Sequence, residues 1–280
     1  NTNTSLWDSR FEQIVPNLYV DHVEQRQFDH GGTRAAMADA SDADLLLFMT
    51  QDAIPADEML VEHLVMQFSL PQVKAAYARQ LPKPGCSTLE AYTRGFNYPP
   101  ESDIKDYGDL PKLGLKTFFC SNVCAMYDRK VYEELGGFVT HTIFNEDMIY
   151  AAGLIEAGYS IAYAADAQVY HSHNYGCIAQ MKRNFDLGVS QAQYPEIFEK
   201  YPSEGEGIRM VRQTAAYVCR IQRPWLLVPL FFQSGFKYLG YLLGKNYQRL
   251  PRVVIRHCTM NKNWWKFPSK KRRKKYNNQR

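Results

Sequence analysis

Along the first 175 positions, apolar residues fall in short runs separated by glycine, proline and acidic turns, the spacing of strands that alternate with helices. Residues 17–24 (NLYVDHVE) alternate apolar and polar and predict a strand. His30-Gly31-Gly32-Thr33-Arg34 reads as a glycine turn opening a helix through Asp39. The run at 44–50 (DLLLFMT) predicts a buried strand that ends at Gln51-Asp52-Ala53. A helix is expected over 55–68, with Pro55 in its first turn. Strands are predicted at 73–81 and 116–127, and the proline-rich, aperiodic stretch between them reads as a surface loop with a short helix. Helices follow over 128–135, stopped by Gly136-Gly137, and over 146–157, stopped by Gly158. Short strands are expected at 160–163 and 168–170, and beyond Asn174 the chain turns helical, aromatic and basic. This pattern predicts an α/β domain over residues 1–175, a helical region over 176–260 and a basic tail over 261–280.

Composition changes this picture in three places. The net charge of +4 hides an asymmetry, because residues 262–280 carry nine Lys or Arg and no acidic residue. The remainder holds 24 basic against 29 acidic residues, an acidic body with a cationic handle, which excludes a uniformly basic nucleic-acid binder. Six dispersed cysteines complete no zinc set, so reduced thiols and a cytosolic setting are expected. The chain starts at Asn1 without an apolar leader, so secretion is not indicated. The most apolar stretch, 225–244, is interrupted by Pro229, Gln233, Ser234 and Lys237 and reads as no membrane span.

Four groups of residues carry candidate chemistry. Asp52 stands where a buried strand meets a loop, the edge at which open α/β sheets bind ligands. A carboxylate there suits Mg2+ or Mn2+, or alternatively caps the helix expected from Pro55. Glu146-Asp147 opens a helix, either as dipole-favoured first-turn residues or as a general base and its neighbour. His171 and His173 are two apart in an extended segment and face the same way, either as metal ligands or as buried, satisfied histidines. Gly31-Gly32-Thr33-Arg34 offers backbone N–H groups and a guanidinium to a diphosphate.

Together the segments FDHGGTR (28–34), FMTQDA (48–53), NEDM (145–148), YAADAQVYHSHNY (163–175) and YLGYLLGKNY (238–247) resemble the family 2 glycosyltransferases of GT-A fold, and within them bacterial rhamnosyltransferases of cell-surface polysaccharide synthesis. The resemblance implies a Rossmann-like mixed central sheet flanked by helices, with a C-terminal helical extension. It places Thr50-Gln51-Asp52 at the family's D-x-D, with Thr50 in place of the first aspartate and Asp52 as the metal-binding one. Asp147 matches the expected base, with Glu146 beside it. His171 matches the histidine that completes the metal shell, with His173 as second choice, and Gly31 to Arg34 fall on the donor side. Nothing before Asn17 resembles the family's opening strands, so the chain reads as N-terminally truncated.

On this reading the chain is an inverting, metal-dependent glycosyltransferase that uses a nucleotide sugar, dTDP-L-rhamnose by resemblance, and a lipid-linked or polysaccharide acceptor. The aromatic segment from Trp225 to Leu243, Trp264-Trp265 and the basic run 270–275 suggest a peripheral site on the inner face of the plasma membrane. Three alternatives stand beside it: a catalytically inactive scaffold, a tail-driven nucleic-acid binder using Trp264, Trp265 and Tyr276, and a nucleotidyltransferase.

Overall fold

The computed structural model describes residues 7–24, 28–201 and 204–266. In chain order the elements are α1 (Arg10–Ile14), α2 (His30–Asp39), β1 (Leu45–Met49), β2 (Ile54–Pro55), α3 (Leu60–Met66), β3 (Val73–Leu81), α4 (Thr88–Asn97) and β4 (Asp103–Lys105). They continue with α5 (Leu110–Leu113), β5 (Cys124–Asp128), α6 (Arg129–Glu134), α7 (Glu146–Glu156) and β6 (Ser160–Tyr170). Five further helices follow: α8 (Cys177–Gln193), α9 (Pro195–Phe198), α10 (Glu204–Arg220), α11 (Leu227–Lys245) and α12 (Arg252–Cys258).

The six strands form one mixed sheet in the order β1-β5-β3-β6-β2, with β4 added on β6. Only β3 and β6 run parallel, and the other pairs are antiparallel. The centre of the sheet is alanine-rich: Ala75, Ala76 and Ala78 of β3 and Ala162, Ala164 and Ala165 of β6 are all fully buried. Small side chains there let helices close on both faces. One face carries an aromatic cluster in which Phe48, Tyr127, Tyr132 and Tyr150 surround Phe138 at ring-centre distances of 5.0–5.5 Å. The other packs Leu60 and Leu64 of α3 against Val73, Met126 and Val169.

Several expectations are corrected by this arrangement. Residues 17–24 form no strand: among the described residues no strand pairs with them, and Tyr19 is almost fully exposed. The helix expected from Pro55 begins only at Leu60, since Ile54 and Pro55 are taken up by pairing with Tyr170 and Val169. The stretch 82–111 holds a full ten-residue helix, α4, whose N-terminus is capped by Ser87 accepting from the Glu90 N–H. The strand expected over 116–127 is a 3-10 turn at Gly114–Phe118, then a turn through 121–123, with β5 starting at Cys124. The two short strands expected after Gly158 are one, β6, whose pairing with β3 slips so that Ala78 faces Ala164 while Arg79 faces Gln168.

The helical region is present as expected, but its apolar segment is a single helix, α11, preceded by a 3-10 turn at Pro224–Leu226. By length and composition it suffices to cross a membrane. It nevertheless lies along α8, in backbone contact. A Cβ on Gly240 would stand 2.1 Å from the Met181 carbonyl oxygen and one on Gly244 2.1 Å from that of Phe185, while Gly188 of α8 faces Tyr241. Ile255, Cys258 and Trp264 close over Phe185 and Val189 of α8. Asp186 pins the end of this wrap by accepting from Thr259 Oγ1 (2.6 Å) and the Met260 N–H (2.9 Å). Trp264 is therefore a core residue rather than a membrane or base-stacking one. The basic run 270–275 and Tyr276 lie outside the described residues.

The glycine contact is directly testable. Gly240→Ala forces a methyl into a backbone carbonyl and is expected to cost about 1–3 kcal/mol, read as a lowered Tm. Gly235→Ala, on the same helix with open space at its Cβ, should leave Tm unchanged or raise it. Equal effects at both positions would show that α11 does not rest on α8.

Candidate active site

Asp52 sits in the turn from β1 to β2. The Ala53 N–H closes that turn on the Thr50 carbonyl (3.1 Å), and the Thr50 N–H is held by the Val123 carbonyl (3.0 Å). Because β2 pairs with the far end of β6, the turn lies beside the residues that leave β6. The first of these, His171, is fixed by its backbone N–H on the Leu81 carbonyl (2.9 Å). Asp52 Oδ2 is 3.4 Å from His171 Nε2 and 3.1 Å from His173 Nε2, and the two imidazole nitrogens are 3.1 Å apart. His173 stacks in turn on Tyr175, with ring centres 4.8 Å apart. Asp52 caps no helix, since α3 starts eight residues later behind Met59.

The electrostatics suit a cation. Burial pushes the Asp52 carboxyl up, but the nearby Thr50 hydroxyl and the two imidazoles outweigh it and hold it below its ordinary value. Burial, reinforced by Arg94, lowers His171 to about 4, and burial lowers His173 as well, so both rings are neutral with lone pairs to give. Bonds of about 2.1 Å at right angles place adjacent ligand atoms about 3.0 Å apart, which the observed separations approach. Thr50 Oγ1 is also buried and meets no partner at bonding geometry. One carboxylate oxygen and two imidazole nitrogens fit a small divalent cation.

The carboxylate pair is built on α7. Asn145 adopts the left-handed conformation (φ 63°, ψ 21°), which asparagine tolerates, and turns the chain so that Glu146 and Asp147 fall in the first helical turn. Glu146 is buried and ion-paired with Arg34 of α2. Asp147 accepts from the Asn122 N–H through Oδ2 (3.0 Å) and from the Met148 N–H through Oδ1 (2.9 Å). It lies deep among surrounding atoms, yet part of its surface stays open to solvent. Burial and the neighbouring Glu146 raise its pKa to about 6, against the opposing pull of Asn122, Arg34 and Met148. That is a carboxylate of unusual basicity that is still ionised at neutral pH.

The glycine turn is placed differently from its sequence reading. Gly31 and Gly32 lie inside α2, and the Gly32 N–H is taken by Asp29 Oδ1 (2.7 Å), which caps the helix. Gly31 is required by packing, because a Cβ there would fall 1.9 Å from the Val139 carbonyl oxygen. Thr33 follows in the same helix, and Arg34 reaches the site through Glu146. Gln51 stays in the Asp52 turn.

Three residues not singled out in the sequence join the two groups. Ser121 Oγ accepts from Gln80 Nε2 (3.1 Å), Asn122 holds Asp147 and lies 3.4 Å from Glu146, and Val123 holds Thr50. Tyr127, fully buried, donates to Asn122 Oδ1 (2.8 Å) and fixes that side chain. Beside His173 a recess opens, walled by Glu90, Tyr175 and Gln180 and, from α11, by Gln233 and Lys237.

Comparison with known proteins gives this geometry a family. Residues 9–136 match the family described as glycosyl transferase family 2. The chain is 42% identical over 254 residues to the O-antigen chain rhamnosyltransferase RfbN of Salmonella typhimurium, covering 90% of this chain and 80% of that protein. It is also 42% identical over 257 residues to the O-antigen chain rhamnosyltransferase WbaN of Salmonella anatum, covering 90% and 81%. Among solved structures it is similar to the mannosyltransferase PcManGT of Pyrobaculum calidifontis, in complex with GDP-Man and Mn2+, with a TM-score of 0.54 and 13% identity over 86% of this chain and 73% of that one. That likeness identifies the mixed sheet and its flanking helices as the GT-A fold. With close relatives matched over nine-tenths of its length, the chain belongs to the family 2 glycosyltransferases, alongside the O-antigen rhamnosyltransferases.

Proposed function

We propose that the protein transfers L-rhamnose from dTDP-L-rhamnose to a lipid-linked or polysaccharide acceptor in cell-surface glycan synthesis, inverting the anomeric configuration. What carries this reading is that one turn, residues 121–123, contacts both the Asp52 turn and the Asp147 carboxylate, so that a cation site and a base share one rigid frame. The rhamnose donor rests on the names of the two Salmonella relatives.

Asp52, His171 and His173 would hold Mg2+ or Mn2+, which when bound would supply positive charge to stabilise a diphosphate leaving group. Asp147 takes the proton from the acceptor hydroxyl as its oxygen attacks the anomeric carbon. The bond from that carbon to the diphosphate breaks on the opposite face, in one displacement. Glu146, held in place by its ion pair with Arg34, keeps the Asp147 proton affinity high through its charge. Thr50 and Gln51 belong to the donor side, whereas Gly31 and Gly32 are committed to helix packing and capping and Arg34 to Glu146.

The acceptor reaches the site from a membrane. Val228, Phe231, Phe232, Tyr238, Leu239 and Leu242 form an exposed stripe at helical spacing along α11, on the side away from the α8 contact. The polar residues Gln233 and Lys237 of the same helix wall the recess beside His173. A helix lying in the membrane interface with that stripe downward sets the recess at the membrane surface. On this reading the enzyme works peripherally on the cytoplasmic face of the plasma membrane, where nucleotide sugars are available.

Asp147→Asn is expected to lower kcat by about 10²- to 10⁴-fold while leaving nucleotide binding intact. In the wild type, transfer should fall as pH drops through about 6, because protonated Asp147 cannot accept the hydroxyl proton. A flat profile from pH 5 to 8 would remove Asp147 as the base. Thermal stabilisation of the 280-residue chain by dTDP, UDP and GDP, each with and without Mn2+, tests the donor and the cation. The shift should be largest for dTDP, depend on Mn2+ and vanish in Asp52→Asn; a shift independent of metal would sink the cation reading. In vesicle flotation with anionic lipid, Phe231→Ser with Phe232→Ser should lose most of the bound fraction, whereas binding equal to wild type would exclude α11 as the contact.

A further inference from the structure

Gln80 lies near the end of β3, is almost completely buried, and is surrounded by four polar groups. Its Oε1 accepts from Arg94 NH1 and lies 2.9 Å from His171 Nδ1. Its Nε2 donates to Tyr98 Oη (2.6 Å) and to Ser121 Oγ (3.1 Å). Arg94 is itself held in place by Glu90, one helical turn back on α4, with Nε 2.9 Å from Oε1.

These contacts permit one assignment of protons. A guanidinium only donates, so the Gln80 amide must turn its oxygen toward Arg94. A reversed amide would set its NH2 against the guanidinium, donor against donor, whereas the Tyr98 and Ser121 hydroxyls can donate or accept and so do not decide the orientation. The oxygen that accepts from Arg94 is the one beside His171 Nδ1, and an oxygen can only accept. His171 must therefore carry its proton on Nδ1. A neutral imidazole has one proton, so Nε2 is left with its lone pair, pointing at Asp52 and His173.

We infer that Gln80, oriented by Arg94, is a positioning residue that fixes His171 as the Nδ1–H tautomer and so keeps its Nε2 open as a ligand. The purpose of this relay rests on the cation reading above, whereas the tautomer itself does not. Partners that orient a ligand histidine in this way typically contribute about 10- to 100-fold to metal affinity. The relay also links α4, β3 and the segment after β6, so Arg94 acts on the cation site without touching it.

The test uses the full chain, metal-free, with 15N-labelled histidine. Long-range 15N–1H spectra read the tautomer of His171, identified by difference from His171→Gln, and Mn2+ titration followed by EPR reads affinity. The wild type should show His171 protonated on Nδ1. Gln80→Leu, which keeps the volume and removes the acceptor, should lose that signature and weaken Mn2+ binding about 10- to 100-fold. Gln80→Glu should restore both, because a carboxylate accepts from Arg94 and from Nδ1–H alike. Arg94→Met, at a partly exposed position, frees the amide to turn and should give a mixture of tautomers; it decides the matter if Gln80→Leu does not fold. His171 protonated on Nε2 in the wild type, or unchanged tautomer and affinity in Gln80→Leu and Arg94→Met, would overturn the inference. A wild type that binds no Mn2+ yet shows the Nδ1–H signature, lost in the variants, would overturn the cation reading and leave the relay standing.

Discussion

The turn through Ser121, Asn122 and Val123 is the constraint on which the site depends. It lies between a 3-10 turn and β5, with Asn122 almost fully buried, so its polar groups must find partners within the protein. Each of the three satisfies a different part of the site: the Gln80 amide, the Asp147 carboxylate and the Thr50 N–H. Because the turn is continuous with β5, which pairs with both β1 and β3, its position is set by the sheet rather than by a loop. Chemistry that needs an atom-scale relation between a base and a leaving-group site is thus referred to one rigid element.

The second theme is an imbalance of charge. Two adjacent carboxylates share one nearby guanidinium, and Arg34 spends it on Glu146. Asp147 is left with two backbone donors and a deep setting, too little to offset desolvation and its neighbour's charge, and its basicity rises in consequence. At Asp52 the balance runs the other way, because the site's own imidazoles and a hydroxyl favour the charged form. Two carboxylates on one fold are driven apart in proton affinity, the separation that assigns one to proton transfer and the other to a cation.

The C-terminal helices solve a different problem. A long apolar helix packed beside an α/β domain must bury one face, and α11 does so with glycine against the backbone of α8 rather than by interlocking large side chains. Its aromatic residues are thereby left on the outer side, while Gln233 and Lys237 line the recess beside His173.

Sequence alone determined the α/β class, the places of β1, β3, α6 and α7, and the residue types of the site. Asp52, Glu146-Asp147 and His171 with His173 were legible because each sits at a strand end or helix start marked by local pattern. Locally encoded caps and breaks, such as Gly136 and Gly158, also fell where the chain predicts them. What the sequence could not supply was pairing. Residues 17–24 alternate like a strand but find no partner, and Ile54 and Pro55 leave the helix pattern because β6 claims them. Gln80, Arg94 and Asn122 carry no local signal, since their importance lies in hydrogen bonds across 14 to 91 positions of chain. The two glycines at 31 and 32 looked like a phosphate cradle, and a carbonyl at Val139 and a cap at Asp29 gave them packing roles instead. Local pattern fixes which backbone conformations and side-chain chemistries are on offer; only tertiary contact, by burying polar groups that must then be paired, decided which of them meet.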